Sequence, residues 1–202
     1  ILCLGAHSDD IEIGCGGTLF RLLQEYQNLS FYWVVFSADN TREKEALESA
    51  NSLLKSVKNK NIVVHRYQEN YFPYIGGEIK KYFDKLNKII SPDVIFTHYR
   101  NDLHQDHRLL SELTWNTFRD HFILEYEILK YDGDLAIPNF FVHLTDFLCR
   151  NKIEHLQKYF KSQLNKHWFS PDSLKAILRI RGVESNAPER FAEAFYCRKI
   201  VF

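Results

Sequence analysis

Short apolar segments alternate with stretches of helical periodicity along the first half of the chain. Four segments are short and apolar enough to form buried strands, namely residues 1–5, 31–36, 61–65 and 93–97. Between them, alanine and leucine recur at helical spacing, as in the helix predicted from Thr41 to about Lys58. Such alternation is typical of parallel strands joined by right-handed crossovers, with helices on both faces. We therefore expect an α/β fold with a Rossmann-like, mostly parallel sheet, forming a single domain over residues 1–202.

The last third of the chain has a less regular pattern. It predicts two strands and two helices, at 128–131, 140–142, 145–164 and 171–181. A final segment at 195–202 mixes apolar and basic residues and is expected to pair at an edge of the sheet.

Two polar clusters follow predicted strands. The first contains His7, Asp9 and Asp10, directly after the first strand, and the second occupies residues 104–107, after the strand at 93–97. Open α/β sheets bind ligands at the carboxyl ends of their strands. If these two strands are neighbours, both clusters meet at one edge of the sheet.

Imidazole nitrogen and carboxylate oxygen form a ligand set that suits Zn²⁺. His7 and Asp10 supply two such ligands, and His107 could supply a third while leaving a position for water, as catalytic zinc requires. Asp9 and His104 would then remain beside that water. One of them would take its proton and the other would stabilise the oxyanion.

Simpler interpretations exist for each cluster alone. Asp9 and Asp10 could cap a helix N-terminus, where negative charge is favourable. His104 and His107 could share the surface of a helix. The two clusters together favour a metal site, because acids and histidines follow both strands.

Two other classes of protein stay open. A Rossmann-like nucleotide-binding enzyme would explain Gly14, Gly16 and Gly17, although this segment lacks the GxGxxG order and follows acids that repel a pyrophosphate. A non-catalytic metal-binding protein would explain the ligands but not the additional Asp9 and His104.

The segments Ala6-His7-Ser8-Asp9-Asp10 and His104-Gln105-Asp106-His107 resemble the two motifs of the LmbE/PIG-L-like zinc-dependent N-deacetylases. The resemblance continues at residues 42–46, 161–163 and 192–195, so it spans nearly the whole chain. One departure is Ser8, which replaces the usual proline, makes the turn less rigid and adds a hydroxyl.

The resemblance implies a function and a set of site residues. The reaction would be hydrolysis of the acetamido group of an N-acetylated sugar or sugar conjugate, giving acetate and a free amine. Zinc, or alternatively iron(II), would bind to His7, Asp10 and His107. Asp9 would be the general base, and His104 would stabilise the oxyanion as an imidazolium, oriented by Asp106.

Three further residues are candidates for substrate binding. Arg42 follows a strand end, where its guanidinium could bind a hydroxyl pair, a carboxylate or a phosphate, but pairing with Glu45 or another acid is an equal alternative. Tyr71 lies in a loop on the strand-end side, and His98 ends the strand before the second cluster and is expected to face the pocket.

The composition limits the kinds of molecule that the protein is expected to bind. Lys plus Arg and Asp plus Glu each number 26, so no net field favours nucleic acid, and we expect a small-molecule or sugar-conjugate substrate. The four cysteines show no CxxC spacing and are expected to be buried free thiols in a reducing compartment. No apolar run approaches the roughly 20 residues of a transmembrane helix. These features predict a cytoplasmic protein and leave homo-oligomerisation open.

Overall fold

A computed structural model of the chain describes residues 1–200. In this part of the chain, one mixed sheet of seven strands is flanked by six α-helices. Strands β1 to β7 are Leu2–Gly5, Ser30–Val35, Asn59–Val64, Val94–His98, Phe122–Tyr126, Phe140–Leu144 and Phe191–Tyr196. Helices α1 to α6 are Asp10–Glu25, Asn40–Leu53, Gly76–Ile89, Gln105–Thr117, Asp146–Tyr159 and Pro171–Glu184. Three 3₁₀ turns lie at Phe72–Tyr74, Lys161–Gln163 and His167–Phe169.

The sheet has the strand order β3-β2-β1-β4-β5-β7-β6. The first five strands in this order are parallel, whereas β7 runs antiparallel to both β5 and β6. The predicted α/β fold with a mostly parallel sheet is confirmed.

Strand β1 lies between β2 and β4, and its Cys3 is in register with Trp33 and Phe96. The chain leaves the carboxyl end of β1 toward α1 and that of β4 toward α4. Since neighbouring parallel strands end at the same edge of a sheet, residues 6–10 and 98–107 are brought together there.

Side chains alternate between the two faces of the sheet, and both faces are covered. Cys3, Trp33 and Phe96 belong to the core that includes residues of α1, α2 and α5. Leu2 and Leu4 belong to the other core, with residues of α3 and α4. Burial on both faces explains why β1 and most of β2 are continuous apolar runs in the sequence.

The last third of the fold differs from the expectation. The strand predicted at 128–131 is wrong: the strand is β5, Phe122–Tyr126, and residues 127–139 contain no helix or strand. β5 carries Glu125, whose buried carboxylate accepts hydrogen bonds from the Arg100 N–H and from Trp115 Nε1. Glu125 interrupts the apolar pattern of β5, and for this reason the sequence did not predict the strand there.

The final segment is also different from the prediction. β7 begins earlier, at Phe191, and lies inside the sheet between β5 and β6 and not at an edge. Part of the predicted segment, residues 201–202, lies outside the described residues. The helix predicted at 145–164 ends sooner, at Tyr159, and its first turn is capped by the Thr145 hydroxyl, which accepts from the Leu148 N–H.

None of the helices within residues 1–200 is both long and apolar enough to cross a membrane. All four cysteines are free; Cys3, Cys15 and Cys149 are buried, while Cys197 is only half-buried.

Gly14 lies in α1 where a side chain has no room. A Cβ atom there would lie 2.2 Å from Cδ2 of Tyr126, a fully buried residue whose hydroxyl donates to the Leu4 carbonyl. We expect Gly14→Ala to lower the free energy of unfolding by about 1–3 kcal/mol, the usual cost of overpacking a core. Urea denaturation would measure it.

The matched control is Gly77→Ala, in the first turn of α3, where a Cβ would meet nothing within 4 Å. It should change stability by less than about 0.5 kcal/mol. Equal effects of the two substitutions would contradict the tight contact between α1 and Tyr126.

Candidate metal centre and active site

Three side chains present ligand atoms to one point at the carboxyl edge of the sheet. His7 Nδ1 lies 3.1 Å from His107 Nε2 and 3.3 Å from Asp10 Oδ2, and the last two atoms are 3.5 Å apart. All three residues are at least 95% buried. The structure thus brings the three sequence-predicted metal ligands together.

Each imidazole is held by a carboxylate on its other nitrogen. His107 Nδ1–H donates to Asp102 Oδ2 at 2.9 Å, and His7 Nε2–H donates to Asp106 Oδ2 at 3.3 Å. Such partners fix the tautomer of a metal-binding histidine. They direct His107 Nε2 and His7 Nδ1 toward each other and toward Asp10. Acceptors that converge in this way fit a cation.

The pKa values show the same surplus of negative charge. Burial lowers the pKa of His7, but the surrounding carboxylates, Asp10 first, outweigh this effect and raise it to about 10. Burial lowers the pKa of His107 to about 3. Without a metal, His107 is therefore a neutral ring with a free lone pair, whereas His7 is an imidazolium whose Nδ1 proton a bound cation would replace.

Two more histidines lie within ligand distance of this cluster. His7, His104 and His107 form one possible set of three, and Asp10, His98 and His107 form another. Backbone N–H groups already donate to one ring nitrogen of each of these two histidines. The Ala6 N–H donates to His98 Nε2 at 2.9 Å, which engages the lone pair of the atom nearest Asp10.

His104 is the N-cap of α4. Its Nδ1 accepts from the Asp106 N–H at 3.2 Å, so the neutral ring carries its proton on Nε2. Burial and the charge of His7 lower the pKa of His104. The ring stacks on His107 at 4.5 Å between centroids. His104 is thus placed as a hydrogen-bond donor beside the cluster.

The relation predicted between His104 and Asp106 is wrong. Asp106 lies in the first turn of α4 and not in a loop, and its side chain turns away from His104. Its carboxylate accepts from His7 and from the Asn70 and Phe72 N–H groups. Residues i and i+2 of a helix do not face each other, so the Asp106 carboxylate orients His7. Its negative charge raises the pKa of His104, but burial and the charge of His7 outweigh this effect.

Asp9 lies beside the ligand set. Oδ1 accepts from Arg42 at 3.2 Å, whereas Oδ2 is buried and has no hydrogen-bond partner. Burial raises the pKa of Asp9, and Arg42 opposes this shift. One oxygen is therefore held by Arg42, while the other is an acceptor that no donor of the protein uses.

Arg42 lies on the cleft wall and links three residues. Its guanidinium donates to Ser8 Oγ at 3.0 Å, to Asp9 and to Glu69 Oε2 at 2.9 Å. The hydroxyl that replaces the usual proline is thus used to position Arg42. Glu45, the acid considered as its partner, instead accepts from the N–H and hydroxyl of Ser162.

The cluster opens into a cleft of about 260 Å³. Its outer wall includes Tyr131, Lys166 and Trp168. The other two predicted substrate-binding residues are not on this wall. Tyr71 is 48% exposed with its ring against Tyr74, and His98 is fully buried behind the cluster.

Sequence reasoning missed three charged residues of the site: Asp102, Glu69 and Lys130. Asp102 had a signal, since an acid close in sequence to the candidate ligand His107 is a suitable partner for its second ring nitrogen. Glu69 and Lys130 had none, because they reach the cluster only through the arrangement of loops.

Substitutions of His104 and of Asp106 are expected to affect different quantities, kcat in the first case and zinc affinity in the second. His104→Ala should lower kcat by about 10²–10³ with metal retained, as for the loss of one oxyanion donor. Asp106→Asn should instead weaken zinc binding by roughly 10–100-fold, because it supports a ligand. Steady-state kinetics and competition with a chromophoric chelator would measure the two quantities. An Asp106→Asn protein with unchanged zinc affinity and a low kcat would instead support the original prediction that Asp106 orients His104.

The fold and the cluster define an α/β protein with a candidate metal centre at the carboxyl edge of its sheet. The chain belongs to the PIG-L family, GlcNAc-PI de-N-acetylase, whose model matches residues 2–118.

One protein of known sequence is similar to a little more than half of the chain. The uncharacterized deacetylase YaiS of Escherichia coli (strain K12) is 30% identical over 115 residues, 53% of this chain and 61% of that protein. The chain therefore matches less than two thirds of this relative.

Solved structures match the fold along the whole chain. N,N'-diacetylchitobiose deacetylase from Pyrococcus horikoshii has a TM-score of 0.67 and 22% identity, over 96% of this chain and 81% of its own. GalB, the 4-carboxy-2-hydroxymuconate hydratase from Pseudomonas putida KT2440, has a TM-score of 0.74 and 14% identity, over 100% and 96%. The two carry different activities on one fold.

Proposed function

We propose that the protein is a metal-dependent N-deacetylase that hydrolyses the acetamido group of an N-acetylated sugar or sugar conjugate. The observation that carries this proposal is the convergence of three buried ligand atoms beside a carboxylate oxygen without a partner. Amide hydrolysis needs a polarised carbonyl, a base for water and a donor for the oxyanion, and the cluster has residues for each.

The metal would be held by His7, Asp10 and His107, with zinc favoured by the nitrogen and oxygen donors and iron(II) as the alternative. When bound, such an ion supplies Lewis acidity and makes a water molecule more acidic. Asp102 and Asp106 keep the two imidazoles in the tautomers required for binding.

Asp9 is assigned as the general base. Its anchored Oδ1 fixes the carboxylate, and its unpartnered Oδ2 is the atom that accepts the proton. Proton transfer from Oδ2 to the leaving nitrogen then releases the amine. Since Arg42 holds the carboxylate in place, the same group serves both steps.

His104 is assigned as the donor to the oxyanion, in a different protonation state from the one expected. Its Nδ1 is occupied by the Asp106 N–H, so the donor is Nε2–H of a neutral ring. A preformed donor next to the reacting carbon stabilises charge that develops only in the transition state.

Substrate binding is assigned to Arg42 with Glu69. The pair offers a donor and an acceptor on the cleft wall, which suits neighbouring hydroxyls of a sugar. The cleft volume, about 260 Å³, is near the lower end of small-molecule sites. It suits one sugar unit, and the carrier of a conjugate would extend past Trp168.

The comparisons support deacetylation in two ways. The family model and the named activities of YaiS and the Pyrococcus enzyme all concern removal of acetyl groups. GalB shows that the fold also supports a hydratase, so the fold alone does not indicate deacetylation and the residues of the site are needed for it.

The positions of Gly14 and Gly17 argue against the alternative of a nucleotide-binding enzyme, although these glycines suggested it in the sequence. Gly14 and Gly17 lie within α1, and added Cβ atoms would meet Tyr126 and Leu144 at 2.2 and 2.6 Å. They allow close packing of α1 and do not form a phosphate-binding loop.

Acetate release tests the proposal. The purified protein would be stripped with a chelator, reloaded with zinc and incubated with N-acetylglucosamine, N,N'-diacetylchitobiose, UDP-N-acetylglucosamine and an N-acetylglucosaminyl lipid. We expect zinc-dependent release of acetate and amine from at least one of them, absent in the Asp9→Asn protein. A zinc-loaded protein that releases none, yet binds metal tightly, would favour the non-catalytic alternative.

A further inference from the structure

Lys130 lies in the loop after β5 among three carboxylates. Its Nζ is 3.0 Å from Asp102 Oδ1 and 3.7 Å from Asp132 Oδ2, and it forms a close ion pair with Asp134. The side chain is only 9% exposed although it lines the cleft. A buried ammonium with such partners is costly to desolvate unless the geometry is fixed.

These contacts join two loops. Asp134 also accepts from the Leu103 N–H at 2.7 Å, so the loop after β5 is bound to the loop that follows β4 at two points. Asp102 is the junction. Its Oδ1 faces Lys130 and accepts from the His104 N–H at 2.8 Å, while Oδ2 accepts from His107 Nδ1.

The charge balance argues against a direct role for Lys130 in binding an anionic substrate. Its ammonium is already compensated by Asp102 and Asp134, with Asp132 nearby. Lys166 provides the contrast. It lines the same cleft but lies over the ring of Trp168 and forms no salt bridge within residues 1–200.

We propose that Lys130 is a positioning residue for the metal centre, which holds the Asp102 carboxylate in the orientation that directs His107 Nε2 toward the ion. The assignment rests on the proposed function, because it requires a metal at the cluster. Lys130 acts through two links, from ammonium to carboxylate and from carboxylate to imidazole. Without it, Asp102 loses the charge that compensates its burial and is free to turn away from His107.

The electrostatics agree with this geometry. Burial would raise the pKa of Asp102, but the hydrogen bond from His107 and the charges around it, including that of Lys130, hold it well below its usual range. The carboxylate therefore stays an acceptor for His107.

The test compares Lys130→Met, Lys130→Gln and Lys130→Arg with the matched control Lys166→Met, which removes the same charge from the same cleft. Zinc affinity would be measured by competition with a chromophoric chelator, and the Co²⁺-loaded proteins would be compared by visible absorption. Circular dichroism and the Tm of the metal-free proteins would report folding. Lys130→Gln decides the matter should Lys130→Met fail to fold.

We expect Lys130→Met and Lys130→Gln to bind zinc roughly 10–100-fold more weakly, the usual effect of losing an outer partner of a ligand. Their Co²⁺ spectra should shift as the His107 ligand loosens, and Lys130→Arg should recover most of the affinity. Lys166→Met should stay within about twofold of the wild type, as for a surface substitution.

Equal zinc affinities in the wild type and both charge-removing variants would overturn the role of Lys130. That result leaves the metal centre itself intact. A wild-type protein that binds no zinc would instead overturn the proposed function together with this inference. Weaker zinc binding in the variants with no deacetylation by the wild type would support Lys130 and count against catalysis alone.

Discussion

Zinc binding is expected to be lost when His107 is replaced by alanine. His107 supplies one of three converging ligand atoms, and the substitution also removes the hydrogen bond that Oδ2 of the buried Asp102 accepts. The loss of affinity should exceed the roughly 10–100-fold typical of outer partners. Elemental analysis after gel filtration and the rate of acetate release would measure it.

The control is His167→Ala, which removes an exposed histidine from a 3₁₀ turn outside the cluster. It should retain one equivalent of metal and full activity. One tightly bound metal per chain in the His107→Ala protein would show that the ligand set is misassigned, with the alternative that includes His98 or His104 next to be tested.

Activity should fall by about 10²–10⁴ in the Asp9→Asn protein while its metal stays bound, the range for removal of a general base. An amide keeps the shape of the side chain and can accept the Arg42 hydrogen bond through its oxygen, but it cannot take a proton from water at neutral pH. Measurement of kcat and of zinc content on the same preparation separates the two effects.

Glu69→Gln serves as the comparison, because Glu69 is the other carboxylate that pairs with Arg42. Its main effect should be on KM, through Arg42 and the cleft wall. Similar losses of kcat in both proteins would indicate that Asp9 only positions Arg42 and is not the general base. Metal loss in Asp9→Asn would make Asp9 a ligand.

The sequence predicts the parallel half of the fold because burial on both faces leaves a strong signal. Strands such as Leu2–Gly5 and Ser30–Val35 are nearly uniform apolar runs between helical stretches. The position of the site follows from the same rule, since residues after adjacent parallel strands meet at one edge. For this reason His7, Asp10 and His107 lie together as expected.

The features that the sequence did not predict depend on contacts between distant parts of the chain. Glu125 made β5 look polar, and its Trp115 and Arg100 partners come from α4 and the loop before it. His98 was expected to face the pocket, but which way a strand residue points depends on register, and here its Nε2 accepts from the Ala6 backbone. Lys130 reaches Asp102 only because two loops fold over each other.

A crystal structure of the zinc-soaked wild-type protein, with anomalous data collected at the zinc edge, tests most directly whether the cluster is a metal centre. We predict one strong anomalous peak bonded to His7 Nδ1, Asp10 Oδ2 and His107 Nε2, with its remaining position facing the cleft and Asp9. No peak at the cluster, or a peak whose ligands include His98 or His104 in place of one of these three atoms, would contradict the account.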